Sequence, residues 1–190
     1  MPAYKTANKK KKLPQGLLGI MLDNYDNQLD LKLEKRFRNW VKANLCLIWI
    51  FGIRIGELEV VKQYHFVVDE HFIYFNSPPE KNPKHPDRSL SVSLDTPHLD
   101  ILITYLEGLD SEDSVLAMSD TTFWRRLKTI DIELSVHVFR HNRGTQMALT
   151  RPSPYELMVW MGHSNINQAI EYIHASGTLA EDLGQRVTIK

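Results

Sequence analysis

A continuous apolar run, Leu45–Phe51, ends a longer stretch of helical periodicity and restricts the fold more than any other feature. From Leu31 onward, apolar residues recur at the three- and four-residue spacing of a helix with one buried face. A helix that is apolar on every side has to end inside a protein core. The sequence therefore predicts a helix over residues 31–51, broken at Gly52, and a second short helix over residues 55–61.

The composition is that of a globular protein of ordinary domain size. Of 190 residues, 43% are hydrophobic and 24% are charged, which is enough to build a core. The single cysteine, Cys46, excludes a disulfide framework and a cysteine-rich zinc site. No apolar run reaches 18 residues, so no membrane span is predicted, and the Lys-rich N-terminus does not have the form of a secretory signal.

Charge is unevenly distributed along the chain, although the net charge is zero. Residues 1–62 carry 12 Lys and Arg against 6 Asp and Glu, whereas residues 63–190 carry 11 against 17. We interpret residues 1–12 as a flexible basic tail and residues 13–175 as one folded unit. The run at the end of the tail is either solvated or an arm that contacts DNA phosphates. It consists of Lys9, Lys10, Lys11 and Lys12.

The middle of the chain favours β-structure. Residues 66–68 and 72–75 are rich in aromatic and β-branched side chains, with Asp69 and Glu70 as a turn between them. Four prolines exclude regular structure from residues 77–87. Residues 88–94 alternate and are predicted to be the return strand of a small antiparallel sheet.

The rest of the chain favours helices. Thr96-Pro97 and Ser153-Pro154 are typical of helix starts, and Gly162 is typical of a helix end. The predicted helices cover residues 96–106, 120–129, 137–149, 153–161 and 165–174. The predicted class is therefore α+β: mainly α with a small antiparallel β-sheet.

Two arginines are candidates for binding an anion. Arg54 lies in an apolar context, where it either forms an ion pair with Glu57 or waits for an anionic substrate. His137 and Arg140, one helical turn apart, suit a phosphate group or are ordinary surface residues. A zinc site on His137 and His141 is set aside, because the sequence offers no further ligand cluster.

Two further candidates are ambiguous taken singly. His163 lies 23 positions after Arg140, at a predicted helix junction, where a capping histidine is common. Tyr172 follows nine positions later, and a tyrosine in a helix is usually there for packing. As a nucleophile, it would need a cationic site, since its ordinary pKa is about 10.

The order and spacing of these residues resemble the catalytic domain of tyrosine recombinases and integrases. The segment Phe51–Leu58 resembles the family's first-arginine motif, and His137–His141 resembles the second. Leu157–Ser164 and Glu171–His174 resemble the third motif and the nucleophile motif. The resemblance covers about residues 13–175 and implies the fold of that catalytic domain.

The resemblance implies DNA cleavage by attack of Tyr172 on a phosphodiester, which leaves a 3′-phosphotyrosine, without a metal or any other cofactor. Arg54, Arg140 and His163 would stabilise the charge of the transition state, and His137 would assist proton transfer. Glu57 would orient the site. A lysine on the hairpin would protonate the leaving oxygen, and we prefer Lys81 to Lys84 because it lies nearer the preceding strand.

The resemblance also implies partners. These are double-stranded DNA and further copies of the chain, assembled as a tetramer on two DNA sites, with no membrane partner. The expected location is the nucleoid in the cytoplasm of a prokaryote or of a virus-infected host cell. Residues 176–190 would dock on a neighbouring protomer or fold back on their own core. Two other functions stay open, a DNA-relaxing enzyme of the type IB topoisomerase kind and a catalytically silent DNA-binding regulator.

The expected domain organisation differs from that of most relatives. About 30 residues precede the first predicted long helix, so we expect the separate N-terminal helical domain of those relatives to be absent. An excised catalytic fragment is the other interpretation. In either case DNA binding should be weak and strongly salt-dependent.

Overall fold

The computed structural model describes residues 17–28, 35–78, 87–117, 119–127 and 136–176, which form helices and one small antiparallel sheet. The helices are α1 (Leu17–Gln28), α2 (Lys35–Phe51), α3 (Ile55–Leu58), α4 (Leu99–Glu107), α5 (Asp120–Leu127), α6 (Val136–Leu149), α7 (Pro154–Met161) and α8 (Ile166–Ser176). The strands are β1 (Phe66–Val68), β2 (Phe72–Asn76) and β3 (Ser89–Ser93). The predicted class, mainly α with a small antiparallel sheet, is confirmed.

The C-terminal half of α2 lies in the centre of the molecule. Leu45, Leu47 and Ile48 are completely buried, as the apolar run predicts. The buried Asn44 side chain donates hydrogen bonds from its Nδ2 to the carbonyl oxygens of Trp40 (2.9 Å) and Val115 (3.0 Å), whereas its Oδ1 has no partner among the described residues.

The sheet covers the end of α2. Its strand order is β1-β2-β3, and both pairings are antiparallel. Phe66 and Phe75 face each other across β1 and β2 with ring centroids 5.0 Å apart. The ring of Phe51 meets Phe75 edge-on at 5.7 Å, so the last residue of α2 is packed on the inner face of the sheet.

Two apolar clusters support the fold. The larger one, the main core, joins α1, α2, the sheet, α4 and α5 with the start of α6, where Phe139 is completely buried. The smaller one, the second core, lies between the end of α6 and the helices α7 and α8. Its buried members are Ala148, Leu157, Met161 and Ala169. Helix α6 therefore connects the two clusters.

Three helix predictions differ from the structure. Helix α1 was not predicted, although it buries Leu18, Met21 and Leu22 at helical spacing. Helix α4 begins at Leu99 and not at Thr96, because the preceding residue, His98, has a left-handed backbone with φ +67°.

The third difference is the length of α3, which ends at Leu58 and not at Val61. The carbonyl of Val61 accepts a hydrogen bond from the amide of Val115 (3.0 Å), and Lys62 forms a bridge with Ser114. Because residues 61 and 62 pair with this distant segment in an extended conformation, the helix does not continue to Val61. None of the described helices has the length and hydropathy needed to cross a lipid bilayer.

Candidate active site

A buried carboxylate lies at the centre of the site. Glu57, on α3, is 1% exposed and accepts hydrogen bonds from two arginines. The Arg54 amide donates to its Oε2 (2.6 Å), and the Arg54 Nη1 lies 3.3 Å from its Oε1. Arg88 donates hydrogen bonds to both carboxylate oxygens, from its Nε to Oε1 (3.0 Å) and from its Nη2 to Oε2 (2.6 Å). Such a bidentate ion pair fixes the orientation of the guanidinium plane as well as its position.

These arginines also determine the charge of Glu57. Burial alone would raise the pKa of the carboxyl, but the charge and hydrogen bonds of Arg88 lower it, as do the amide and charge of Arg54. The net effect is a pKa below the ordinary value, so Glu57 is anionic at neutral pH. The ion pair between Arg54 and Glu57 predicted as a structural alternative is therefore present.

The C-terminal end of α7 brings Arg54 and Arg140 together. The Met161 carbonyl oxygen accepts hydrogen bonds from the Nη2 atoms of both arginines, at 3.4 Å for Arg54. The Nη2 of Arg54 also donates to the Gly162 carbonyl. The last carbonyls of a helix have no partner within the helix and form its negative end, which is a favourable place for cations.

Arg88 joins the same helix end. Its Nη1 donates to the Trp160 carbonyl at 2.6 Å, while its other nitrogens hold Glu57. Since β3 begins at Ser89, Arg88 ties the edge of the sheet to the end of α7. Three guanidiniums thus converge on three successive carbonyls, although their residues lie far apart in the sequence.

Arg140 is a further buried charged group near Glu57, with 8% of its surface exposed. Its Nη1 donates to the Gly52 carbonyl at 2.6 Å, directly after the end of α2. Burial, followed by the charges of Arg88 and Arg54, lowers the pKa of Arg140 from 12.5 to about 9. The positive charges of Arg88 and Arg54 therefore oppose that of Arg140, and within the described part of the chain Glu57 is the carboxylate that compensates them. Binding of an anion would relieve this repulsion.

Tyr172, on α8, lies beside this cationic cluster with its ring between two histidines. The His163 ring stacks on it nearly in parallel, at 9° and 5.7 Å between centroids, and the His141 ring lies at 5.0 Å with a tilt of 44°. Burial raises the pKa of Tyr172, and the charge of Arg140 offsets this only in part. The phenol is therefore protonated at neutral pH and would have to lose its proton in order to react.

A tight connection between α7 and α8 sets the distance from His163 to Tyr172. Gly162 takes a left-handed backbone with φ +61° and ends α7, while the His163 amide donates to the Met158 carbonyl at 2.9 Å. The Asn165 side chain then accepts a hydrogen bond from the Asn167 amide at 2.9 Å and caps α8. The end of α7 at Gly162 agrees with the helix end predicted from the sequence.

The remaining predicted residues are His137 and several that fall outside the described ranges. His137 is exposed in the first turn of α6, one turn before Arg140. Lys81 and Lys84 lie outside the described residues. So do the predicted basic tail with Lys9, Lys10, Lys11 and Lys12, and residues 177–190 of the C-terminal segment. Within the described ranges, no group of three His, Cys, Asp or Glu side chains could hold a metal ion.

Arg88 is a residue of the candidate site that the sequence analysis did not predict. The sequence does contain an indication of its position. Leu90 and Val92 are the buried residues of β3, and the alternation of a strand places Arg88 on the same inward face. A charged residue on the inward face of a strand needs a buried partner. Its partner is Glu57.

Arg143 is a half-buried cation of α6 that the sequence analysis did not single out. Its guanidinium lies over the Trp160 ring at 5.6 Å, and burial lowers its pKa. Its stem also packs against Gly52, where a Cβ would come within 3.1 Å of the Arg143 Cγ. Arg143 therefore helps to hold the end of α2 against the end of α7.

The geometry can be compared with that of solved structures. The chain is similar to the XerH site-specific recombinase bound to its difH substrate, with a TM-score of 0.66 and 17% identity over 85% of this chain and 49% of that chain. It is similar to the XerA recombinase, with a TM-score of 0.63 and 18% identity over 95% of this chain and 66% of that chain. It is also similar to the catalytic domain of bacteriophage HP1 integrase, with a TM-score of 0.58 and 19% identity over 91% of this chain and 92% of that chain.

These similarities define the fold. The chain has the fold of a tyrosine recombinase catalytic domain, as the resemblance predicts. It spans about half the length of the XerH chains that it matches. No protein-family model and no curated protein matches the sequence.

Proposed function

We propose that this protein is a site-specific DNA recombinase that cuts and rejoins double-stranded DNA through a 3′-phosphotyrosine on Tyr172. The observation that carries the proposal is the meeting of Arg54 and Arg140 at the Met161 carbonyl, with the ring of Tyr172 stacked on nearby His163. A phosphodiester in this position would face two guanidiniums, an imidazole and a phenol. These are the groups needed to stabilise and attack it.

Arg54 and Arg140 bind the nonbridging oxygens of the phosphate. Each guanidinium carries five N–H groups, so a bond to a helix carbonyl does not prevent a second bond to phosphate. The guanidiniums gathered around Glu57 favour an anion before any reaction starts. It then favours the transition state further, because a pentacoordinate phosphorus carries more negative charge than the diester. His163 adds a hydrogen bond to the same oxygens.

Cleavage exchanges one ester bond for another. The Oη of Tyr172 forms a bond to phosphorus, and the bond from phosphorus to the 5′-oxygen breaks. The phenol proton passes to His137, whose exposed position lets it exchange that proton with water. The departing 5′-oxygen takes a proton from Lys81 or Lys84. A 5′-hydroxyl of a second strand then attacks the phosphotyrosine and returns the tyrosine, so no cofactor is consumed.

The partners follow from this chemistry and from the relatives. XerH was solved bound to its difH substrate, and the Tn1549 transposon integrase was solved in complex with circular intermediate DNA. We expect double-stranded DNA to be the substrate of this chain, bound by a tetramer in which two pairs of protomers exchange strands. The basic run Lys9–Lys12 would add phosphate contacts, which makes the affinity fall steeply with salt.

The test is a trapping experiment with nicked DNA duplexes. The duplexes carry inverted repeats taken from the DNA that flanks the gene, with a nick beside the expected cleavage point. We expect a protein–DNA adduct that survives denaturant and carries the DNA on Tyr172, and none with Tyr172→Phe. An equal yield of adduct from Tyr172→Phe would refute the assignment of the nucleophile.

The same materials distinguish the two other functions. Specific binding to the repeats without an adduct on any substrate would indicate a catalytically silent regulator. Relaxation of a supercoiled plasmid that lacks the repeats would indicate an enzyme of the type IB topoisomerase kind. A recombinase should do neither and should instead exchange strands between two copies of its site.

A further inference from the structure

Gly144 occupies an unexpected place in the middle of helix α6. Glycine is a poor helix former, because it loses more backbone freedom than any other residue on folding. Its φ is not in the left-handed region, in contrast to Gly52 and Gly162. The backbone conformation therefore does not require a glycine at this position, and the reason has to lie in its surroundings.

The surroundings are the ring of Tyr172. A Cβ built on Gly144 would lie 2.7 Å from the Cε1, 2.9 Å from the Cζ and 3.0 Å from the Cδ1 of that ring. Carbon atoms in contact are separated by about 3.5–4.0 Å, so a methyl group and the ring cannot both occupy this space. Gly144 is buried, and the ring lies directly on the helix backbone.

The other contacts leave the ring little freedom to adjust. His163 stacks on it nearly in parallel, and His141, one turn before Gly144 on the same helix, lies against it at a tilt. A side chain at position 144 would push the ring away from α6. The Oη would move with it, since the Cζ that carries the hydroxyl is among the contacting atoms. The same helix carries Arg140, so this displacement would separate the phenol from the guanidinium.

We propose that Gly144 is a positioning residue for Tyr172: its missing side chain forms the slot that seats the phenol against the protomer's own helix α6, beside Arg140. The consequence for catalysis rests on the proposed function, whereas the slot itself does not. A misplacement of the nucleophile by about 1 Å is enough to slow a reaction by about 100-fold.

The first test is a double-mutant cycle that requires no DNA. Gly144→Ala, Tyr172→Ala and the double variant are compared with the parent by urea unfolding. Gly144→Ala should lower stability when the ring is present and raise it in the Tyr172→Ala background, because alanine is the better helix former. Additive effects would overturn the inference. If Gly144→Ala does not fold, folding of the double variant supports the slot, and failure of both overturns it.

The second test measures cleavage of the nicked duplex at saturating DNA. Gly144→Ala should cleave at least tenfold more slowly than the parent, while its DNA affinity changes less than about twofold. Gly108→Ala is the matched control, because a Cβ there would meet its nearest neighbour, the Tyr105 carbonyl, at an ordinary 3.5 Å. Its cleavage rate should equal that of the parent.

The two tests separate the inference from the proposed function. Coupling in the cycle together with an unchanged cleavage rate would overturn the positioning role of Gly144 and leave the recombinase proposal intact. If the two substitutions are coupled but the parent protein forms no adduct with DNA, the slot is supported and the recombinase proposal is contradicted. Coupling with slow cleavage supports both.

Discussion

The main core and the second core differ in size, and each supports a different part of the candidate site. Completely buried residues of the main core flank the cationic cluster: Ile53 precedes Arg54, Leu58 follows Glu57, and Phe139 precedes Arg140. His163 and Tyr172 belong instead to the region of the second core, which buries four residues in the described part of the chain, two of them alanines.

The difference indicates how the protein divides its tasks. Local stability follows the amount of apolar surface that a segment buries, so α7 and α8 should open more readily than α2. Arg54, Arg140 and Glu57 lie next to the more stable part. Tyr172 lies on the part that opens more readily, which would suit the proposed nucleophile, since such a residue has to form and release a covalent bond.

The strongest test of this division is removal of the central carboxylate. Glu57→Gln leaves Arg88 buried without its counter-charge, and breaking a buried pair in this way costs about 3–5 kcal/mol. We expect a loss of that size in the free energy of unfolding, measured in urea. The control is Glu112→Gln, which breaks the exposed pair with Lys62 at 2.7 Å and should have almost no effect. Equal losses in the two variants would show that the cluster is not a structural anchor.

The same pair predicts sensitivity to acid. Because the pKa of Glu57 is lowered in the folded protein, its contribution to stability is present above the ordinary value of 4.5 and is lost as pH falls through the lowered pKa. Unfolding at a series of pH values below 5 should show this loss in the parent. The slope should be shallower in Glu57→Gln, and an identical slope would contradict the assignment.

A comparison of two leucines measures the two cores directly. Leu102→Ala in the main core and Leu157→Ala in the second core each remove a completely buried side chain, at a cost of about 2–5 kcal/mol. We expect Leu102→Ala to destabilise the whole protein. Leu157→Ala should in addition accelerate amide hydrogen exchange in α7 and α8 more than in α2. Uniform acceleration would mean that the two cores unfold as one unit.

Anion binding tests the cationic cluster without DNA. With a pKa of about 9, Arg140 is charged at pH 7 and loses its charge as pH rises above 9. Sulfate stays anionic from pH 7 to pH 10, so its affinity should be about tenfold weaker at pH 10 than at pH 7, equivalent to ~1.4 kcal/mol. The measurement is the shift of the unfolding midpoint by sulfate against chloride at equal ionic strength. A shift that does not depend on pH would argue against Arg140 as an anion ligand.

The smallest expected effect concerns the start of α7. The Ser153 hydroxyl accepts a hydrogen bond from the Glu156 amide at 3.2 Å, and the Glu156 carboxylate accepts one from the Ser153 amide at 2.7 Å. Ser153→Ala should cost about 1 kcal/mol of unfolding free energy. Ser91→Ala on the exposed face of β3 is the control. If Ser153→Ala and Ser91→Ala lower the free energy of unfolding equally, the cap at Ser153 does not stabilise α7.

Local signals in the sequence predict much of this fold. The apolar run before Phe51 predicts the buried end of α2, and Ser153-Pro154 with Gly162 predicts both ends of α7, because caps and breakers act on their immediate neighbours. The three strands follow from alternation and aromatic content. The start of α4 was wrong because His98 adopts a left-handed backbone that no local rule assigns to histidine.

The site was only partly predictable, for a physical reason. Arg54, Arg140, His163 and Tyr172 were found through the resemblance, since no local pattern brings residues from four segments together. Arg88 and Gly144 were missed because their roles depend on contacts with Glu57 and Tyr172 that exist only in the folded chain. Such residues can be recognised because they are unfavourable in their local structure. Arg88 places a charge on the inward face of a strand, and Gly144 places a glycine inside a helix.

The convergence of three arginines on the backbone of residues 160–162 has a practical consequence for protein engineering. A peptide oxygen is common to all amino acids, so exchanging the side chains of Trp160 or Met161 leaves these acceptors in the sequence whatever is chosen. Apolar substitutions of similar size at these two positions should therefore keep the guanidinium contacts, since Met161 is also buried in the second core, whereas at position 57 only a carboxylate serves both guanidiniums.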